Sequence, residues 1–244
     1  EIVSRDWSSD VCSSDLPFEV LGGGRAPGDA FWTHAQPMQW QAEGGNVQHG
    51  ETPLVVDAAE AQAFADAINA HFGDALQVSV LEATRWYARV AEPPSGAPVP
   101  PWELGGRLRD ASAPLAWHRL MNEIQMLLHD HPLNEAREAR GAAPINGLWF
   151  WGGGRLAAST APALRSIVSS EPLATGLAQS AGLRHARVPE RIDHWLESAG
   201  EDGVHLFVLD ALMVAAASND AHAWREALSA MESRIVAPLV DRSE

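Results

Sequence analysis

The sequence predicts a mixed α/β fold, an α/β core portion preceded by a smaller α+β layer, and three observations predict it. From residue 147 to 236, apolar strand-like runs alternate with runs of helical period, as in βα units built on a mainly parallel sheet. From residue 54 to 90, one helical run is followed by two alternating runs joined as a hairpin, the mark of a small α+β layer. The 244 residues are 46% hydrophobic, enough for one large domain or two small ones with their own cores.

The elements follow in order. Asp6-Trp7-Ser8-Ser9-Asp10-Val11-Cys12-Ser13-Ser14-Asp15-Leu16 is the translation of a common sequencing adapter, and the closing Arg242-Ser243-Glu244 matches the complement of that adapter's end. Residues 1–16 and 242–244 are therefore expected to be artefact, unpacked at one end and frayed at the other, with Trp7 outside any core; a Ser/Asp-rich leader is the other reading. Native sequence then runs from about Pro17 to Asp241, a fragment truncated at both ends. The formal charge of −15 becomes −12 when those five carboxylates and two arginines are removed. The one cysteine, Cys12, goes with them, and with it any disulfide, thiol-catalysis or Cys-zinc reading.

Residues 17–51 carry a strand at Ala30 to His34 and turns at Gly22-Gly23-Gly24 and Gly44-Gly45. Leu54-Val55-Val56 reads as a short strand. Asp57 caps a helix with Glu60 three residues on; Phe64, Ile68 and Phe72 form its buried face, and Gly73 stops it after His71. Gln77 to Leu81 and Arg85 to Val90 make the hairpin. Five prolines between Glu92 and Pro101 exclude helix and central strand, leaving an extended connection. Leu115, Leu120, Ile124, Leu127 and Leu128 lie on one helical face. His131-Pro132 ends that helix and starts another, which stops at Gly141. Gly147 to Trp151 is a buried strand, Gly152 to Gly154 a tight turn and Ser166 to Ser169 a further strand. Pro172 to Ala181 is helix closed by Gly182, Arg191 to Ala199 helix, Val204 to Leu209 strand, and Ala221 to Val236 helix with Trp224, Leu228, Met231 and Ile235 on one face.

Charge and composition exclude several functions. An acidic chain without a basic run repels nucleic-acid phosphates and anionic lipid, so neither is an expected partner. No apolar run spans a bilayer and no signal-peptide pattern is visible, which makes the cytoplasm the default location. All basic residues are Arg and none is Lys, which excludes a Schiff-base lysine. The bend at His131-Pro132 brings His129, His131, Asn134 and Arg137 near one another. With Asn146, Trp149, Trp151, Gly152 and Gly154, the group from His131 onward is the candidate binding site. Asn134, Arg137 and Asn146 either hold an anion or tie loop carbonyls together. Trp149 and Trp151 are also explained by a buried strand, and the glycine run before Arg155 by a turn rather than a phosphate cradle. His129 and His131 alone are too few for zinc. Asp193-His194 and Asp220 with His222 have no identifiable serine partner in sequence. No metal ligand set, cofactor site or catalytic residue is identified.

The stretches Pro100-Pro101-Trp102-Glu103-Leu104-Gly105, His131-Pro132-Leu133-Asn134 with Arg137, Gly141 and Asn146, and Leu148-Trp149-Phe150-Trp151-Gly152-Gly153-Gly154 resemble the archaeal-type, cofactor-independent phosphoglycerate mutases of the alkaline phosphatase superfamily. They resemble still more the bacterial regulatory proteins of the RpfE type. Weaker likeness extends to Glu171 through Ala178 and to Gly28-Asp29-Ala30-Phe31. The resemblance implies a partial alkaline-phosphatase-like core, here residues 151–241, with a smaller α+β insert of about residues 30–150. It also implies a Ser nucleophile and two divalent metals held by Asp and His. After the family's last core strand, an Asp is followed four residues later by a His; about Val214 and Ser218 stand at those positions here. The resemblance thus implies a phosphoglycerate mutase-like protein that lacks the two-metal site, binds a small phosphorylated or carboxylate metabolite, and acts alone or as a regulator with a protein partner. The alternatives are a working mutase or phosphohydrolase, and an interaction scaffold without a ligand.

Overall fold

The structure, a computed structural model, describes residues 15–43, 46–49, 54–96, 98–100, 114–157, 163–199, 203–217 and 220–243. Residues 1–14, with Trp7 and most of the adapter-like stretch, lie outside the described residues, as do the predicted Gly44-Gly45 turn and Trp102 to Gly105. Helix α1 (Leu16–Gly22) begins within that stretch, and Leu16 is buried. At the other end α9 (Ala237–Ser243) carries the chain in helix through Arg242 and Ser243, where fraying was expected.

The chain divides into two compact units, one built on residues 26–157 and one on residues 18–25 and 158–244. The first is an α+β layer. Strands β1 (Phe31–Met38), β4 (Leu76–Glu82), β5 (Arg85–Val90) and β6 (Gly147–Gly154) form an antiparallel sheet in the order β4-β5-β1-β6, and β2 (Trp40–Glu43) pairs with β3 (Asn46–His49) as a separate hairpin. Helices α2 (Ala58–Phe72) and α3 (Leu115–His129) pack on the sheet, α2 over β4 and α3 over β6. Phe64, Ile68, Ile124, Leu128, Leu148 and Phe150 are fully buried between them, so the helical spacing of those apolar residues marks the core. Each well buried aliphatic or aromatic side chain of this kind stabilises the layer by about 1.5–3 kcal/mol.

Helix boundaries follow local chemistry. Asp57 accepts the Glu60 N–H at 2.8 Å and starts α2. Pro132 opens α4 (Pro132–Ala139), with His131 as its N-cap. Two elements differ from expectation. Leu54 to Val56 is extended without ladder partners. Gly152 to Gly154 is the end of β6, paired with Trp32 and Thr33 of β1, where a tight turn was predicted. Gly152 has φ +52° and lies opposite a register shift between Thr33 and His34, so it is the extra residue of a β-bulge.

In the second unit, β7 (Ser166–Ser169), β8 (Arg184–Ala186) and β9 (His205–Val208) form a parallel sheet in the order β8-β7-β9. Helices α5 (Pro172–Ser180) and α6 (Ile192–Ala199) make the crossovers, and α7 (Ala211–Ala217) and α8 (Ala221–Met231) follow β9. Glu171 caps α5 by accepting the Ala174 N–H. The helix predicted over 221–236 is α8 followed by a π-helical turn at Glu232–Val236, which leads directly into α9.

Candidate functional site

The residues singled out in the sequence lie in the first unit, and their polar atoms meet the main chain. Asn134 donates to the Leu128 and Ile145 carbonyls at 2.8 and 2.9 Å and accepts the Ile145 N–H at 2.8 Å. Arg137 is fully buried, with Nε on the Ala143 carbonyl, one terminal nitrogen on Glu60 at 2.7 Å and the other on the Val55 carbonyl at 2.9 Å. Arg140 shares the same Glu60 carboxylate. Asn146 holds Trp40 by both its N–H and its carbonyl, and His131 accepts the Leu133 N–H. Of the two roles open to Asn134, Arg137 and Asn146, the geometry displays the tying of loop carbonyls. Glu60, expected to complete a capping box, is turned instead toward two guanidinium groups.

The tryptophans belong to the sheet. Trp149 is buried and donates to the Val99 carbonyl at 2.9 Å, and Trp151 stacks on His34 with ring centroids 3.7 Å apart. Burial, with the Arg85 charge second, lowers the His34 pKa to about 3. Gly152 and Gly154 sit at the bulged end of the strand. The eight candidates therefore lie on one helix, loop and strand. His129, exposed beside Asp130, does not join His131.

A different place has the shape of a site. Beyond the carboxyl ends of β7, β8 and β9 lies a cavity of about 270 Å³, lined by Ser170 after β7, by Val188, Pro189 and Glu190 after β8, and by Leu209, Asp210, Ala211 and Leu212 after β9. Its far wall is Ala227, Ala230 and Met231 of α8 with Arg234 and Ile235 of the π turn. Open parallel sheets bind ligands at this edge, because the loops diverge there and leave a crevice. The sequence carried signals for it: Asp210 follows a predicted strand, and Arg234 adjoins the apolar face of a predicted helix. What it lacked was β8, whose Arg184-His185-Ala186 is too short and polar to read as strand.

The two divalent metals implied by resemblance can be tested on these donors. Among the described residues, no three His, Cys, Asp or Glu side chains come together as a metal site. In the groove, Glu190 and Asp210 share the lining with a guanidinium and nine apolar residues. Val214 falls on α7, and Ser218 lies outside the described residues. The residues described do not fit a two-metal centre. No helix among them is long and apolar enough to cross a membrane.

The fold is a mixed α/β one, a parallel-sheet unit and an α+β layer. Over 92% of its length it overlays the PH0037 protein of Pyrococcus horikoshii with a TM-score of 0.60 at 16% identity, covering 58% of that chain. The cofactor-independent phosphoglycerate mutase of Thermoplasma acidophilum overlays with a TM-score of 0.47 at 19% identity, over 89% of this chain and 64% of that one. In sequence, 139 residues, 50% of this chain, are 27% identical to the 2,3-bisphosphoglycerate-independent phosphoglycerate mutase of Methanothrix thermoacetophila, and the match spans 35% of that relative's length. No family model matches the chain.

Proposed function

We propose that this chain is a phosphoglycerate mutase-like protein that binds a small carboxylate metabolite and does not perform two-metal phosphoryl transfer. The likeness to a phosphoglycerate mutase supports the coarse reading. The observation that carries the finer one is the lining at the carboxyl ends of β7 to β9, which is mostly hydrocarbon with two carboxylates and Arg234. Phosphoryl transfer depends on positioning and on neutralising charge at the phosphoryl oxygens, and hydrocarbon does not neutralise charge. A guanidinium, by contrast, holds a carboxylate without any metal. Arg137, the cation expected from sequence to do this, is fully engaged elsewhere; Arg234 is exposed at the groove.

The test is an assay on the purified protein, with manganese, zinc or magnesium present. Interconversion of phosphoglycerates and hydrolysis of a generic phosphate ester are both expected at background. Metal-dependent mutase activity that survives repurification would overturn the reading and restore the working enzyme. A second reading, a regulatory protein with a protein partner, is favoured by the exposed Trp224 and Leu228 of α8 and Leu239 and Val240 of α9.

A further inference from the structure

We propose that the groove at the carboxyl ends of β7, β8 and β9 takes a small zwitterion with an apolar body, of the size and chemistry of an aliphatic or aromatic α-amino acid. The inference rests on the reading that this groove binds a metabolite, and it specifies which class. The cavity, about 270 Å³, lies just under the roughly 300–1,000 Å³ of sites for drug-sized ligands, which suits a molecule of amino-acid size. Its walls, with Leu212, Met231 and Ile235 among them, match an apolar body and offer few partners to the hydroxyls of a sugar acid.

The charges carry the rest. Arg234 is the one cation of the lining, facing a groove that also holds Asp210 and Glu190, and among the described residues none of these three is ion-paired with another. A multiply charged phosphoglycerate would gain one favourable contact and suffer repulsion from two carboxylates, within a chain of formal charge −15. A zwitterion matches both signs: its carboxylate meets Arg234, and its ammonium meets Asp210 and Glu190. Arg234 and Ile235 are presented by the π-helical turn Glu232–Val236. Such turns widen a helix at the expense of regular bonding and recur at functional sites, which is a second and independent pointer to this wall.

Isothermal titration at low salt with L-leucine and L-phenylalanine tests the proposal, set against isoamylamine, which lacks the carboxylate, 4-methylpentanoate, which lacks the ammonium, and 3-phosphoglycerate. The amino acids should bind, with each truncated analogue at least about tenfold weaker, the scale of one lost charge-assisted contact. Arg234→Gln should erase the advantage of leucine over the amine, and Asp210→Asn its advantage over the acid. Leu212→Trp, which fills the groove, should abolish binding of all of them, and unchanged circular dichroism would show that the variants fold. Absence of heat with both amino acids, or tighter binding of 3-phosphoglycerate, overturns the zwitterion assignment. If 3-phosphoglycerate binds more tightly than the amino acids but without turnover, only this assignment falls; if it is turned over with metal, the non-catalytic reading falls as well.

Discussion

Arg137 shows how far a single residue can be read from sequence. Its type and its place after His131-Pro132 marked it as important, but the partners that fix its role, the Val55 and Ala143 carbonyls and Glu60, are brought to it by tertiary folding. A guanidinium with that much buried commitment orders the chain rather than greeting a ligand. His34 was passed over as an ordinary strand residue, and the structure gives it a measurable signature. Its folded pKa is lowered from 6.5 to about 3 by burial first and Arg85 second. As the pH falls below 6.5, the unfolded chain takes up a proton that the folded chain refuses until about pH 3, so stability falls with pH through that window. Urea melts of His34→Phe, which keeps an aromatic ring beside Trp151, should therefore gain on the parent by on the order of a few kcal/mol between neutral pH and about pH 4.5. A gap that does not change with pH would show that His34 titrates normally in the fold.

Elements were legible where the pattern was long. The spans of α2, α3, α4, β5 and α5 follow from apolar period, caps and breakers that act within a few residues. The glycine run 152–154 was misjudged because glycine signals a turn and a bulge alike, and only the pairing with β1 separates them. Helix α1 was not anticipated, since what shapes it is contact: a Cβ on Gly22 would collide with the Pro172 carbonyl oxygen, and one on Gly176 with the Phe18 carbonyl oxygen. Propensity and packing thus make opposite predictions for Gly176→Ala within α5. Helix propensity alone favours alanine by about 1 kcal/mol, whereas overpacking a backbone contact costs about 1–3 kcal/mol and has to separate α1 from α5. A lowered melting temperature is expected; a raised one would mean that the two helices do not touch.

At the scale of the molecule, alternation of strand and helix announced the parallel sheet from residue 166 onward and the hairpin before residue 90 the antiparallel one, whereas the strand at 147–151, read with the parallel sheet, pairs antiparallel with β1 instead. The groove was not visible as a site because its lining comes from the segments after three strands and from a helical wall, Ala227 to Ile235, that starts fifteen residues after Leu212. Residues so far apart in sequence are related only by strand order, and that order, β8-β7-β9, is not written in any local pattern. The chain resembles a phosphoglycerate mutase over half its length, and its described donors do not make a two-metal centre. The most direct measurement is metal content: the purified protein is dialysed to equilibrium against manganese and zinc in turn, and bound metal per chain is counted by mass spectrometry. Substoichiometric binding, removed by a weak chelator, is the predicted result. Two equivalents per chain that resist the chelator would contradict it.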